Sequence, residues 1–284
     1  MVPGVLMTMS DLTITILVDN QAGDGLLAEH GLALWIQIDG RRILFDSGQG
    51  AALPVNAERL GIDLSTADTL VLSHGHYDHG GGIPAVLGRN RDIAILAHPR
   101  AVRSRFVVEP GKVRPVHLPV EALAALDRHP TVRWVRRVRS LGSGIGLTGP
   151  IPRGTPFEDP GGRFFLDPAG RLPDAIDDEM ALWIRTSKGL VVCTGCAHAG
   201  LINTLHLALR QSGEKRITAV IGGFHLGDAG AERLAETVAA LHDLAVERLV
   251  PCHCTGRQAT EVLQAALGDR LIPGQAGAVF RFPL

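Results

Sequence analysis

An apolar β-run at residues 69–72 breaks off into Ser73-His74-Gly75-His76-Tyr77-Asp78-His79, followed by three glycines. No other feature of the sequence constrains the fold as much, because three imidazoles and a carboxylate within six residues cannot all serve a core. The segment has to lie where a strand ends and polar groups meet water or an ion. Imidazole and carboxylate are the donors that suit zinc and related divalent ions. Histidines at i and i+2 coming off a strand point the same way, and the glycine-rich turn lets Asp78 and His79 fold back beside them. A solvent-exposed loop with incidental histidines is the alternative, and four potential ligands at this spacing weigh heavily against it.

Periodicity supplies the surroundings. Residues 12–18, 33–38, 42–45, 93–97, 113–119 and 132–138 read as strands, with Asp39-Gly40 as a tight hairpin turn. Residues 83–87 read as a short helix, with Pro84 tolerated in its first turn. The stretch 141–176 is crowded with Gly and Pro and carries no helical pattern; an irregular insertion of that length is expected to be a lid, a binding loop or mobile. Strands return at 180–186 and 190–194, a hairpin turned at Ser187-Lys188-Gly189. Helices at 201–211, 231–244 and 259–267 then alternate with strands at 217–221 and 248–250. There is no internal repeat and no low-complexity linker, so residues 1–284 are expected to form a single mixed α/β domain carrying the insertion at about 141–176.

Charge and composition narrow the function. With 28 basic and 29 acidic side chains the net charge is −1, which argues against a protein that coats nucleic acid or anionic membrane. Arg133, Arg136, Arg137 and Arg139 do not share one strand face, and no stretch approaches the ~18 apolar residues of a membrane span. The expected partner is a small-molecule substrate, with no nucleic acid and no membrane; the oligomeric state stays open. The start has no basic leader, and patterned sequence begins just after Met9, an alternative start, so a cytoplasmic, thiol-reducing setting is expected. Four cysteines are no disulfide scaffold in a chain this long, but Cys193, Cys196, Cys252 and Cys254 all fall within five residues of His198 or His253.

HGHYDHGGG resembles the H-x-H-x-D-H signature of the metallo-β-lactamase-fold hydrolases. Leu44-Phe45-Asp46-Ser47-Gly48 is similar to that family's early strand ending in an aspartate. CTGCAHAG and PCHCTG put His198 and His253 where its later histidines are expected, and the likeness runs from about residue 12 to about 256. The resemblance implies a four-layer αββα sandwich with a metal site at the strand ends between two sheets. EHGLALWIQIDGRRILFDSGQG, SHGHYDHGGG, TGCAHAG, GGFHL and CHCTG together resemble a subgroup that includes archaeal dihydropterin-ribofuranosyl-aminobenzene phosphate synthases. Fold and superfamily do not fix the substrate.

By this resemblance His74, His76 and His198 would hold one divalent ion, and Asp78, His79 and His253 a second. Where relatives carry a bridging aspartate this chain offers Cys196 and His198: either His198 replaces one of the usual groups, or Cys196 is a thiolate ligand. One or two ions are expected, zinc by preference, with manganese or iron also compatible. Asp78 would orient, or take a proton from, metal-bound hydroxide. Asp46 would fix a ligand's orientation, or merely cap the turn after its strand. His225, after a strand and two glycines, could bind substrate, protonate a leaving group or ligate metal. His30 belongs to the subgroup motif and is a substrate-binding candidate. Cys196 and Cys254 are expected to line the site and Cys193 and Cys252 to pack; a separate structural zinc site built from the cysteines is the rival. Arg153, in the irregular stretch, offers an anion clamp, with a solvent-facing arginine the even alternative. Asp177-Asp178-Glu179 could reach the site from the strand entrance but read more simply as solvated, and His98, His117, His129, His206 and His242 as structural.

The function expected is a metal-dependent hydrolase using metal-bound hydroxide on a small phosphorylated or ester-containing substrate. A transferase forming a carbon–nitrogen bond with loss of diphosphate, and a non-catalytic ligand-binding sensor, are the alternatives.

Overall fold

The computed structural model describes residues 11–142 and 144–284; Met9 lies outside the described residues. The strands in chain order are β1 (Asp11–Val18), β2 (Ala33–Ile38), β3 (Arg41–Phe45), β4 (Thr69–Val71), β5 (Ala94–Ala97), β6 (Phe106–Glu109), β7 (Lys112–Pro115) and β8 (Val132–Trp134). They continue with β9 (Arg139–Gly142), β10 (Ile145–Leu147), β11 (Phe164–Phe165), β12 (Leu182–Thr186), β13 (Gly189–Thr194), β14 (Ile217–Gly223), β15 (Leu249–Cys252) and β16 (Val279–Pro283). The helices are α1 (Ala52–Arg59), α2 (Tyr77–Gly80), α3 (Ile83–Leu87), α4 (Val120–Arg128), α5 (Leu201–Ser212), α6 (Ala231–Asp243) and α7 (Arg257–Leu267).

Two large sheets result, ordered β16-β1-β2-β3-β4-β5-β8 and β15-β14-β13-β12-β10-β9. Side-chain alternation along the strands builds the layers. From the first sheet Leu12, Ile14, Ile16, Leu34, Ile36 and Phe45 face the second sheet's Leu182, Ile184, Val191, Cys193 and Ile221 in one buried cluster. The opposite face of the first sheet, with Leu17, Trp35, Leu44 and Leu70, packs on α1, α3 and α4. The opposite face of the second, with Leu190, Val192, Ile217 and Val220, packs on α5, α6 and α7. This is the αββα sandwich the resemblance implied. None of the described helices is long and apolar enough to cross a membrane.

β3, β4, β5 and β8 run parallel to one another, as do β13, β14 and β15, so their carboxyl ends gather at one edge of the sandwich. Ligand sites in such sheets form beyond those carboxyl ends. Asp46 follows β3, the histidine loop follows β4, and Cys196, His225 and His253 follow β13, β14 and β15.

Several expectations change. The irregular stretch begins after Leu147 rather than at 141, because β9 and β10 extend the second sheet. The strand expected at 113–119 is a short hairpin, β6–β7, turned at Pro110-Gly111 and paired with β11 in a small third sheet. The strand expected at 132–138 stops at Trp134. α1, α4 and β16 carried no recognised signal; β16 is held by pairing with β1 across nearly the whole chain.

Candidate metal centre

Beyond β4 the chain enters the site as Ser73-His74-Gly75-His76, and Asp46 organises it. Asp46 Oδ1 accepts from the Ser73 amide at 2.7 Å, and Oδ2 accepts from the Ser73 hydroxyl at 2.7 Å and from His79 Nδ1 at 2.7 Å. Since the Ser73 hydroxyl proton goes to Asp46, the Ser73 oxygen accepts from His74 Nδ1 at 2.9 Å. His74 and His79 are thereby both protonated on Nδ1, with Nε2 left as a lone-pair donor to an ion. Gly75 is required by closeness: a Cβ there would stand 2.0 Å from the Ala101 carbonyl oxygen.

The remaining histidines are fixed in the same fashion by other elements. His253 after β15 donates its amide to Asp19 Oδ1 at 2.7 Å and Nδ1 to Asn20 Oδ1 at 2.8 Å. The Asn20 amide nitrogen faces His30 Nδ1 at 3.3 Å, so the His30 proton sits on Nε2 and is donated to Asp78 Oδ2 at 3.0 Å. His198 donates Nδ1 to the Pro160 carbonyl at 2.9 Å, and its buried Nε2 has no partner among the described residues. Asp46, Ala197, His225 and His253 all hold positive φ, between 44° and 61°. Such backbone persists only where surrounding contacts over-determine it, and it concentrates at functional sites.

Donor atoms converge in four overlapping groups, each within 4.8 Å: His74, His76, His198; His74, His79, Cys196; Cys196, His253, Cys254; and His30, Asp78, His253. His74 Nε2 lies 2.9 Å from His76 Nδ1, and His79 Nε2 lies 3.3 Å from His253 Nε2 and 3.1 Å from Cys196 Sγ. When both rings are neutral, the His79–His253 contact sets lone pair against lone pair, since both have committed their Nδ1 protons. A cation between them turns that repulsion into coordination, so the residues present fit a divalent ion.

Electrostatics agrees. Burial, reinforced by neighbouring positive charge, pulls His74, His76 and His198 well below the usual histidine range. Burial likewise lowers His253 and His225 to about 4. His79 is the exception: burial opposes its charging, but the Asp46 carboxylate overrides and lifts it to about 9. Burial alone would raise Asp78, but the adjacent imidazoles of His253 and His30 hold it well below the carboxylate range. Once an ion displaces the extra proton of His79, these are neutral imidazoles around an ionised carboxylate, the protonation states that metal binding needs.

Some of the supporting residues were not legible in the sequence. Arg105 is fully buried and forks onto Asp178 at 3.0 and 2.5 Å, with Asp174 2.9 Å from its Nε. Asp178 accepts the Gly75 amide at 2.9 Å, while Glu179 accepts the amides of His198 at 2.8 Å and Ala199 at 2.6 Å. The solvated reading of 177–179 therefore holds only for Asp177, half-exposed and paired with Arg100. Arg153 is also corrected. It donates to the His198 carbonyl at 2.6 Å and to the Ala175 carbonyl, so its guanidinium braces two loops and lies away from the cavity lining.

The cavity over the cluster measures about 400 Å³. Asp78, His198, His225, His253, Cys196 and Cys254 form its inner wall, with His30 alongside. Phe164 of β11 stacks on His76 at 5.3 Å between centroids, and Arg114 of β7 with Arg163 line the wall beneath the small sheet. His225 belongs to none of the donor groups, though its ring centroid is 4.2 Å from that of His198. Cys193 and Cys252 sit in the inter-sheet core and join no donor group, as packing predicts and a four-cysteine zinc site does not.

Sandwich and histidine cluster together define a metal-binding fold of the hydrolase type. A family model described as the Metallo-beta-lactamase superfamily matches residues 27–177. The chain is 31% identical to 7,8-dihydropterin-6-methyl-4-(beta-D-ribofuranosyl)-aminobenzene-5'-phosphate synthase of Methanocaldococcus jannaschii, over 96% of this chain and 98% of that one. A solved structure described as a metal-dependent hydrolase of the beta-lactamase superfamily superposes with a TM-score of 0.82 at 31% identity, covering 96% of this chain and 100% of that one. An isothiocyanate hydrolase from Delia radicum gut bacteria shares the fold at a TM-score of 0.54 and 17% identity, over 96% of this chain and 100% of that one. This chain belongs to the metallo-β-lactamase superfamily.

Proposed function

We propose that this protein is a metal-dependent hydrolase of a small phosphorylated or ester-containing molecule. The reading is carried by the donor groups opening onto one cavity whose lining includes two arginines. His74, His76 and His198 would hold one divalent ion, and Asp78, His79 and His253 a second; the imidazoles favour zinc or iron, with manganese relying more on Asp78. When bound, such an ion acidifies water toward neutral pKa and neutralises charge developing on an ester or phosphate oxygen.

The chain's own groups account for the rest. Asp78 Oδ2 accepts from His30, which leaves Oδ1 to orient a water or accept its proton. His225, held near pKa 4 by burial, is neutral at physiological pH, which suits hydrogen bonding to substrate better than protonating a leaving group. Phe164 shields His76 and narrows the path for water. Arg114 and Arg163 make no carboxylate pair among the described residues, and they take over the anion-binding role expected of Arg153.

A transferase is the second reading, favoured by 31% identity with the M. jannaschii synthase along 96% of the chain. Metal-loaded wild type and His76→Ala are to be compared on phosphomonoesters, phosphodiesters and carboxylic esters in ¹⁸O-water. Label entering the product of the wild type alone supports the hydrolase. Turnover only with a second organic substrate, without label, replaces it with the transferase. If no ester or phosphate is cleaved under any metal, the hydrolase reading fails.

A further inference from the structure

The proposed metal centre leaves one buried donor without a role. Cys196 is 2% exposed, and its Sγ is 3.1 Å from His79 Nε2. It groups with His74 on one side, a member of the first histidine set, and with His253 on the other, a member of the second. His79 Nε2 is comparably central, but an imidazole nitrogen has a single lone pair, and the other ring nitrogen of His79 is committed to Asp46. Asp78 groups with His30 and His253 and with no member of the first set. A thiolate has lone pairs enough for two ions and is an established zinc ligand.

The backbone seats this sulfur deliberately. A Cβ on Gly195 would lie 2.1 Å from Ser73 Oγ and 3.2 Å from Asp46 Oδ2, so only glycine lets the loop after β13 press against the network that orients His74 and His79. Beyond the cysteine, Ala197 holds φ 57°, and the Glu179 carboxylate pins the next two amides. Cys254 is differently placed: its thiol donates to the Cys196 carbonyl at 3.6 Å, and it groups only with Cys196 and His253.

We propose that Cys196 is a bridging ligand, its thiolate shared between an ion on His74, His76 and His198 and an ion on Asp78, His79 and His253. The inference rests on reading the cluster as a metal centre. The thiol proton leaves to solvent as the sulfur–metal bonds form, with no change of oxidation state. A soft bridge biases the site toward zinc, iron or cobalt and away from manganese and magnesium.

Cobalt(II) titration of the reduced, metal-stripped full chain tests this without any substrate. Wild type should take up two ions per chain, develop a near-ultraviolet sulfur-to-cobalt charge-transfer band and show magnetic coupling between the two ions by electron paramagnetic resonance. Cys196→Ser, which keeps the side chain's size, should lose band and coupling while its circular dichroism matches wild type; Cys254→Ala should keep both. Cys196→Asp should regain a second ion without the band and shift the preference toward manganese. A band that survives in Cys196→Ser, or that disappears only in Cys254→Ala, overturns the bridge. Two ions bound by wild type with no sulfur band also overturn it, yet leave the histidine centre standing. A wild type that binds no cobalt overturns both readings together.

Discussion

The two halves of the donor set are built in opposite ways. His74, His76, Asp78 and His79 come from one unbroken loop after β4, and a single carboxylate, Asp46, orients two of them. Cys196 and His198 arrive on the loop after β13 and His253 on the one after β15, and both loops carry left-handed, non-glycine backbone. Their supports are scattered as well: Asn20 for His253, Pro160 and Glu179 for His198. The first half is locally encoded and the second is assembled by tertiary contacts, so damage should spread differently from each.

Asp178→Ala should have the largest effect. It strips a buried guanidinium of its main partner and frees the Gly75 amide, which should cost about 3–5 kcal/mol. Urea denaturation measures it, and a loss below about 1 kcal/mol would mean that the contiguous loop stands without this tie. Next, Asp46→Asn should weaken metal affinity roughly 10–100-fold by releasing both His74 and His79. Asn20→Ala should fall at the low end of that range, because it releases only His253 and His30. Equal effects, read by competition with a chelator, would erase the distinction between the halves.

Glu179 supplies a smaller, pH-dependent contrast. Burial raises its carboxyl from 4.5 to about 7, despite two amide donors. A folded pKa above the unfolded one gives stabilisation fully present below about 4.5 and lost as pH rises through about 7. Relative to wild type, Glu179→Gln should therefore gain melting temperature steadily across that window; a flat difference would show that Glu179 is not buried as described. The smallest effect is expected from Arg114→Gln, a few-fold rise in KM for anionic substrates that shrinks with added salt while kcat holds.

Legibility in the sequence follows the same division. Four donors within six residues declare themselves, as do the alternating strands that form the inter-sheet core. Asp178 and Glu179 were hidden because three consecutive acids look solvated, and nothing local announces that a buried arginine 73 residues upstream will meet one of them. Arg153 misled for the converse reason: carbonyls of two distant loops absorb its donors. Arg114 and Arg163 acquired meaning only once the β6–β7 hairpin was found to overhang the site. β16 depended on pairing with β1 at the far end of the chain.

The two large sheets meet through apolar side chains, a contact that resists separation without any polar pair to pin it. At the carboxyl edge the situation changes, for donors rooted in one sheet there touch donors rooted in the other, His79 against Cys196 and His253. An ion held among them fastens one leaf of the sandwich to the other at a fixed register. The proposed metal centre would in that sense also be a clasp, with the alignment of the cavity walls set by the same atoms that are proposed to carry the chemistry.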